Sequence, residues 1–405
     1  MKACMVSYSF YESDNRVRRY AEALAQRGDE VHAITLRRPG QPHSAIIKGV
    51  HVHRIQKRAR DERGPLSYLR KILAFFFRSA WLLAWQHLKA PYQFVHVHSV
   101  PDFEIFAAAL LRFLGAKVIL DIHDIVPELY ASKFRVSESS AAFRLLLLLE
   151  KLSTGFADHV IIANHLWYGK LVARAVAASK CTPIINYPDP SLFYPIACEK
   201  PQRNDFLLCY PGTLNSHQGL DVAVRAVALL RQRIPTLRFL IVGDGPEREN
   251  LACLIKSLRL EDHVTLADFV PIEQIAAYMT KVDLGVVPKR SDSFGDEAFS
   301  TKIMEFMATG VPVIASSTRI DRYYFNPDIV QFFESGNPND LAEKIFSLWS
   351  NPSRLRALAA SARAFIEQNN WRVKRAEYLE LVDRLLSKPA HARSLPSATP
   401  ASEPK

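Results

Sequence analysis

Two glutamates and a lysine in one short stretch, GDEAFSTKIMEFMATGVPVIAS over residues 295–316, carry the most specific chemistry of this chain. Ser300 or Thr301 can cap a helix that places Met304, Met307 and Ala308 on one face. Gly310 supplies a left-handed stop, Pro312 follows it, and Val311 to Ala315 reads as a short strand. Glu297 therefore stands just before the helix, and Glu305, with seven residues between them, stands inside. Lys302 falls in the first turn, where the helix dipole disfavours a cation. A bound anion such as a diphosphate accounts for that placement. A solvated lysine with two surface carboxylates fits the same pattern.

Other polar residues gather where strands are expected to end. Gly212-Thr213-Leu214-Asn215-Ser216-His217-Gln218-Gly219 lies between a strand and a helix, where backbone N–H groups can meet a phosphate. Leu240 to Pro246 is strand, tight loop, helix. Its Gly243-x-Gly245 lacks the third glycine of the dinucleotide fingerprint, so it argues little for NAD. His96, His98 and Ser99 end one strand, and Asp121, His123 and Asp124 end another. Their spacing matches neither the H-E-x-x-H zinc pattern nor a D-x-D site, so no metal is expected.

Positioning these groups requires alternating strands and helices. Strands are expected at 2–7, 30–36, 50–55, 93–98, 117–121, 159–163 and 182–186. Helices are expected at about 15–27, 66–88, 101–114, 140–156 and 165–178. The alternation predicts a doubly wound parallel sheet with ligands at the carboxyl ends of its strands. In its first loop, Ser7 to Arg16, Asp14 or Asn15 can cap a helix or contact a ligand. A proline-rich break at about 190–204 precedes a second round of the same alternation from 206 onward. Helices follow at 338–350, 353–368 and 371–387, and the Pro-, Ser- and Ala-rich tail 388–405 is expected to be disordered.

The Glu-x7-Glu spacing running through Met304, Met307, Ala308, Gly310, Pro312 and Val313 resembles the donor-site signature of family 4 retaining glycosyltransferases. The other pieces fall in the family's order over roughly residues 1–387. The resemblance implies the GT-B fold: an acceptor-binding Rossmann-like domain over 1–190 and a nucleotide-sugar domain over 191–370. The helix at 371–387 would cross back to the first domain. Glu305 would hold the ribose hydroxyls and Glu297 the sugar hydroxyls, with Ala298, Phe299 and Ser300 between them at the donor. His123 would be the active-site histidine near the acceptor hydroxyl. Gly243 would belong to the family's Val-Gly-x-Gly loop, and Phe269 and Val270 would hold the base. Relatives carry an Arg and a Lys in the first glycine loop where this chain has Thr213 and Gln218. Lys302, helped by Lys289 or Arg290 and by the amides of Gly212 to Asn215, would then neutralise the leaving diphosphate. The donor would be UDP- or GDP-linked, used as substrate without a cofactor or metal.

Composition limits the remaining choices. The chain has 405 residues, enough for two domains, and 48% hydrophobic against 23% charged residues. Five cysteines without C-x-x-C spacing suggest reduced thiols. The N-terminus reads as a strand rather than a signal peptide, and the longest apolar runs fall short of the roughly 20 residues that span a bilayer. The net charge of +11 is uneven: residues 1–190 hold 26 Lys and Arg against 16 Asp and Glu, residues 191–405 hold 26 against 25. Such a basic half calls for an anionic partner. Residues 57–90 set Lys57, Arg58, Arg60, Arg63, Arg70, Lys71 and Arg78 beside Phe75, Phe76, Phe77, Trp81 and Trp85, as in a helix lying on a membrane or one with a charged outer side. No nucleic-acid recognition motif is present. The expectation is a cytoplasmic transferase, peripheral on the inner face of the membrane, acting on a lipid-linked or glycan acceptor. An inactive membrane-bound scaffold and a sugar-nucleotide epimerase of the same fold are the alternatives.

Overall fold

The computed structural model describes residues 1–58, 65–134, 137, 139–195 and 204–387. Arg60, Arg63, Cys198, most of the expected linker and the tail 388–405 lie outside the described residues.

The first half forms an eight-stranded sheet in the order β3-β4-β2-β1-β5-β6-β7-β8. Its elements begin with β1 (Lys2–Ser7), α1 (Asn15–Gln26), β2 (Glu30–Arg37), β3 (Ser44–Ile47), β4 (Val50–Lys57) and α2 (Pro65–Lys89). They continue with β5 (Phe94–His98), α3 (Ala109–Phe113), β6 (Lys117–Ile122), α4 (Val126–Phe134) and α5 (Ala141–Phe156), then β7 (His159–Ile162), α6 (His165–Arg174) and β8 (Cys181–Pro183). Strands covered on both faces read as apolar runs rather than alternating ones. Accordingly β5 and β7 are buried at every residue.

The expected alternation holds, with local corrections. Strand β3 was not expected: its residues are only half-buried or exposed, so it carries no apolar signal. It pairs antiparallel with β4 through a turn in which Lys48 and Gly49 both have positive φ, 47° and 84°. The expected helix at 101–114 is a 3-10 segment over 102–108 leading into α3. The last strand stops at Pro183, which cannot donate to the ladder. Helix α4 was also not expected, although Pro127 suits a first helical turn.

The second half forms a six-stranded, fully parallel sheet in the order β11-β10-β9-β12-β13-β14. It comprises β9 (Phe206–Pro211), α7 (Leu220–Leu230), β10 (Leu237–Val242), α8 (Arg248–Ser257), β11 (Val264–Ala267), α9 (Ile272–Met279) and β12 (Leu284–Val287). Then come α10 (Thr301–Ala308), β13 (Val313–Ser316), α11 (Arg319–Tyr324), β14 (Gln331–Phe333), α12 (Pro338–Trp349), α13 (Pro352–Gln368) and α14 (Trp371–Ser387). Two Rossmann-like sheets with facing carboxyl ends make a GT-B architecture.

Helix α14 returns to the first half, as expected. Trp371 N–H donates to Pro188 O (3.0 Å), the Tyr378 ring lies 4.2 Å from that of Tyr20 on α1, and Arg27 pairs with Asp383 at 2.6 Å. One apolar core runs from Met5 and Tyr20 through Tyr378 to Met304 and Met307, so it joins the halves. Cys4, Cys181, Cys209 and Cys253 are free thiols, and burial pushes Cys181 and Cys209 up to about 12.

Candidate active site

The carboxyl ends of the two sheets face each other across a cleft of ≈ 1110 Å³. That is room for more than one small ligand. Its C-terminal wall is built by the loops after β9 and β10 and by the start of α10. Gly212 has φ 139°, and a Cβ there would stand 2.4 Å from Lys302 Cε, so the lysine lies directly across this glycine. A Cβ on Gly243 would meet Gly212 O at 1.9 Å, so the two glycine loops touch backbone to backbone. The ammonium of Lys302 stands 5.2 Å from the Tyr210 ring centre. Burial lowers its pKa, Glu305 opposing and Lys289 adding to the effect. Burial likewise raises Glu305, with Lys302 opposing. Both side chains are half-buried in the cleft lining.

Thr213, Asn215, Gly243, Phe269, Val270, Ala298 and Phe299 also line the cleft, as the sequence suggested. Leu214 does not: its side chain is fully buried in the core. The amide cradle is narrower than expected. Gly212 and Leu214 donate their N–H groups to Val242 O and Asp244 O. Among the described residues, the Thr213 and Asn215 amides have no internal acceptor. Gln218, at the usual lysine position, is held by Tyr210 Oη (2.9 Å) and His217 Nε2 (2.8 Å).

Four expected donor-site residues are turned to other tasks. Lys289 is buried, donates to Ala298 O (2.6 Å) and pairs with Asp321 at 3.1 Å. Arg290 is clamped on Asp221 at 2.6 and 2.7 Å. Neither lines the cleft, because each has a carboxylate of its own. Ser300 takes the N-cap position of α10 without a side-chain capping bond and is buried. Glu297 is 6% exposed and lies outside the cleft lining. Its carboxylate pairs with Lys170 of α6 (2.5 Å) and Arg319 of α11 (3.1 Å), tying the two halves together. Asn164 Nδ2 donates to its main-chain oxygen at 3.0 Å. Glu297, expected at the sugar hydroxyls, is held here in an ion-pair bridge between the two halves.

The N-terminal wall is organised around Asp121, at the end of β6. Arg16 grips it from α1 with Nε and Nη2 at 2.8 and 2.7 Å, while Arg16 Nη1 donates to Ile184 O. His98 Nδ1 and His123 Nε2 meet Asp121 Oδ2 at 3.1 and 3.0 Å. Burial pushes this carboxyl up, but Arg16 and the two histidines outweigh it and hold it well below the usual range. Burial keeps His98 and His96 neutral-leaning, His96 most. His123, half-buried in the cleft lining, thus has Nε2 fixed by Asp121 and leaves Nδ1 for a ligand. Asp14 proves to be the α1 cap, accepting from Val17 N–H at 3.2 Å.

His96, His98 and Asp121 bring three possible ligand atoms within 4.8 Å of one another, the grouping among the described residues that could hold a metal. The Arg16 guanidinium already occupies the negative pole of that cluster, so a divalent cation would meet a buried positive charge. Arg16 as the partner of Asp121 escaped sequence reading, because 105 residues separate them. Lys170 and Arg319 were missed because only the fold brings them beside Glu297.

Comparison with known proteins agrees with this geometry. A family model described as glycosyl transferases group 1 matches residues 198–365, and one described as glycosyl transferase 4-like domain matches 13–186. The amylovoran biosynthesis glycosyltransferase AmsK of Erwinia amylovora is 27% identical over 230 residues, 55% of each chain. A GDP-mannose-dependent phosphatidylinositol monomannoside mannosyltransferase of Mycolicibacterium smegmatis is 28% identical over 174 residues, 41% of this chain and 44% of the relative. The chain thus spans about half the length of the curated relatives it matches. Among solved structures, sucrose-phosphate synthase of Thermosynechococcus elongatus superposes with TM-score 0.77 at 21% identity, covering 96% of this chain and 99% of its own. Anabaena HepE in complex with UDP gives 0.70 at 17%, covering 95% and 100%. These likenesses below a quarter identity speak for the fold.

Proposed function

Since this chain belongs to the group 1 glycosyltransferases, we propose that it moves a sugar from a nucleoside-diphosphate donor to a glycan or lipid-linked acceptor, keeping the anomeric configuration. The observation that carries this reading is Lys302, a half-buried ammonium laid across Gly212 where two glycine loops meet in the cleft. A fixed cation there favours the charge that grows on a departing diphosphate. In the transfer, the bond from the anomeric carbon to phosphate oxygen breaks and a bond to the acceptor oxygen forms on the same face. The acceptor's proton passes to the leaving phosphate. Lys302 and the Thr213 and Asn215 amides receive the diphosphate, Glu305 takes the ribose hydroxyls, and Phe269 and Val270 flank the base. His123 Nδ1 orients the acceptor hydroxyl. No divalent metal is needed in this scheme, because cation and helix terminus supply the positive charge.

Two arginines besides Arg16 stand in the lining on the acceptor side. Arg38 stacks 4.8 Å from the Phe10 ring and Arg58 5.2 Å from the Tyr8 ring, all four in the cleft lining. This favours an acceptor that carries phosphate, on a lipid at the inner membrane face or on a growing polysaccharide, with the enzyme cytoplasmic. The decisive experiment is calorimetric titration with UDP, GDP and NAD in the absence of divalent metal. Binding of one nucleoside diphosphate, followed by transfer from its sugar conjugates, is expected. Binding of neither sinks the donor site and moves the inactive-scaffold reading forward, given Thr213 and Gln218 at the usual clamp. Interconversion of a donor sugar without acceptor would identify an epimerase instead.

A further inference from the structure

The first sheet is covered by helices on both faces, and the two faces differ sharply. Right-handed crossovers put α1 on one side, with α14 packed against it, and α2, α3 and α5 together on the other. On that second side α2 carries Leu69, Leu73, Phe77, Trp81 and Trp85 at intervals of four, all exposed, Phe77 and Trp81 to 67%. Only Phe75 of the aromatic group points fully into the core. The apolar surface continues on α5 at Leu145, Leu148 and Leu152, each more than half exposed, and at the end of α3 at Phe113, 81% exposed.

Charge on this face is mostly of one sign. Helices α2 and α3 contain no Asp or Glu, and the single acid of α5, Glu150, is buried and paired with Arg174 at 2.7 Å. The cations are Arg70, Lys71, Arg78 and Lys89 on α2, with Arg144 and Lys151 on α5, while Arg112 of α3 is paired with Asp158 at 3.4 Å. Lys89 Nζ stands 3.5 Å from the Trp85 ring centre, its stem covering the indole. Stacked, parallel Trp81 and Trp85 rings beside lysine are suited to a headgroup boundary.

We propose that the α2–α3–α5 face docks on an anionic lipid bilayer. A second copy of this chain would set cation against cation, whereas anionic headgroups satisfy both the charge and the apolar stripe. Among the described residues no helix is long and apolar enough to cross a membrane, so α2 lies along it for about 37 Å. At its start Tyr68 meets Tyr8 edge to face with ring centres 6.3 Å apart, and Tyr8 lines the cleft. The docked face therefore ends at the cleft mouth, where a lipid-borne acceptor would enter. This last step rests on the transferase reading; the docking itself does not.

The test is co-sedimentation of the full chain with phosphatidylcholine vesicles, with and without phosphatidylglycerol. Binding only to the anionic vesicles, weakened by salt, is expected. Trp81→Ser with Trp85→Ser should lower partitioning at least about tenfold. Arg70→Gln and Lys89→Gln should each lower it about fivefold. All are exposed positions, so thermal midpoint and nucleoside-diphosphate binding should stay as in the parent. Equal partitioning of parent and tryptophan variant overturns the proposal. So does a parent dimer, seen by light scattering, that these substitutions dissolve. Loss of nucleotide binding with vesicle binding intact would instead count against the transferase reading alone.

Discussion

The two walls of the cleft treat charge in opposite ways. On the N-terminal wall Asp121 is matched by Arg16, His98 and His123, so its charge is answered within the protein. On the C-terminal wall Lys302 forms no ion pair among the described residues, and the neighbouring cations Lys289 and Arg290 are held by Asp321 and Asp221. The contrast teaches that one wall answers its central charge within the protein, whereas the other leaves a lysine without a carboxylate partner among the described residues.

Removing Asp121 should break the N-terminal wall most severely. Asp121→Ala leaves the Arg16 guanidinium buried without its partner, at a cost of about 3–5 kcal/mol in chemical denaturation. In the parent this carboxyl has a folded pKa far below its unfolded value. Its contribution is therefore complete above about pH 4 and fades as pH falls further. The variant should lack that acid-side slope; an unchanged slope would mean the network is not what holds the wall.

Lys302→Ala should sharpen the comparison from the other side. Turnover is expected to fall about 10²–10³-fold with a much smaller change in donor affinity, because the lysine acts on developing charge. Steady-state rates set beside calorimetric affinities would show it, and equal losses would indicate ground-state anchoring. Glu104 tests burial without pairing, away from the cleft. It is fully buried against the Ser79 hydroxyl, and burial pushes it up to about 8. Its proton is held more tightly when folded, so stability should decline as pH rises from about 4 towards 8 and then level off. Glu104→Gln should remove that decline and gain about 1–3 kcal/mol at pH 8 by thermal unfolding. The smallest effect belongs to Arg290→Ala. Its exposed pair with Asp221 is worth about 0–1 kcal/mol, and transfer rates should stay within about twofold of the parent. A large rate loss would return Arg290 to the donor site.

Much of this molecule was legible before any coordinates. Buried parallel strands show as apolar runs, and glycines and prolines punctuate them, so the two sheets and the signature helix α10 followed from the order of residues, while the return of α14 was implied by the family resemblance. Lys302 was recognisable because a cation at a helix start opposes the dipole, a conflict visible within one turn. Strand β3 was not legible, since an edge strand that buries neither face leaves no periodic trace.

Partnership across the fold decided the rest. Lys289, Arg290 and Glu297 look in sequence like ligands for a donor, and only the arrival of Asp321, Asp221, Lys170 and Arg319 beside them shows their charges already matched. The same holds for Arg16 and Asp121, and for Phe77, Trp81 and Trp85, which turn outward although their spacing also suits a core. Local pattern sets which elements form, because backbone geometry and apolar periodicity act over a few residues. Whether a charge is answered or left for a ligand depends on desolvation and on neighbours that tertiary packing alone brings within hydrogen-bond reach.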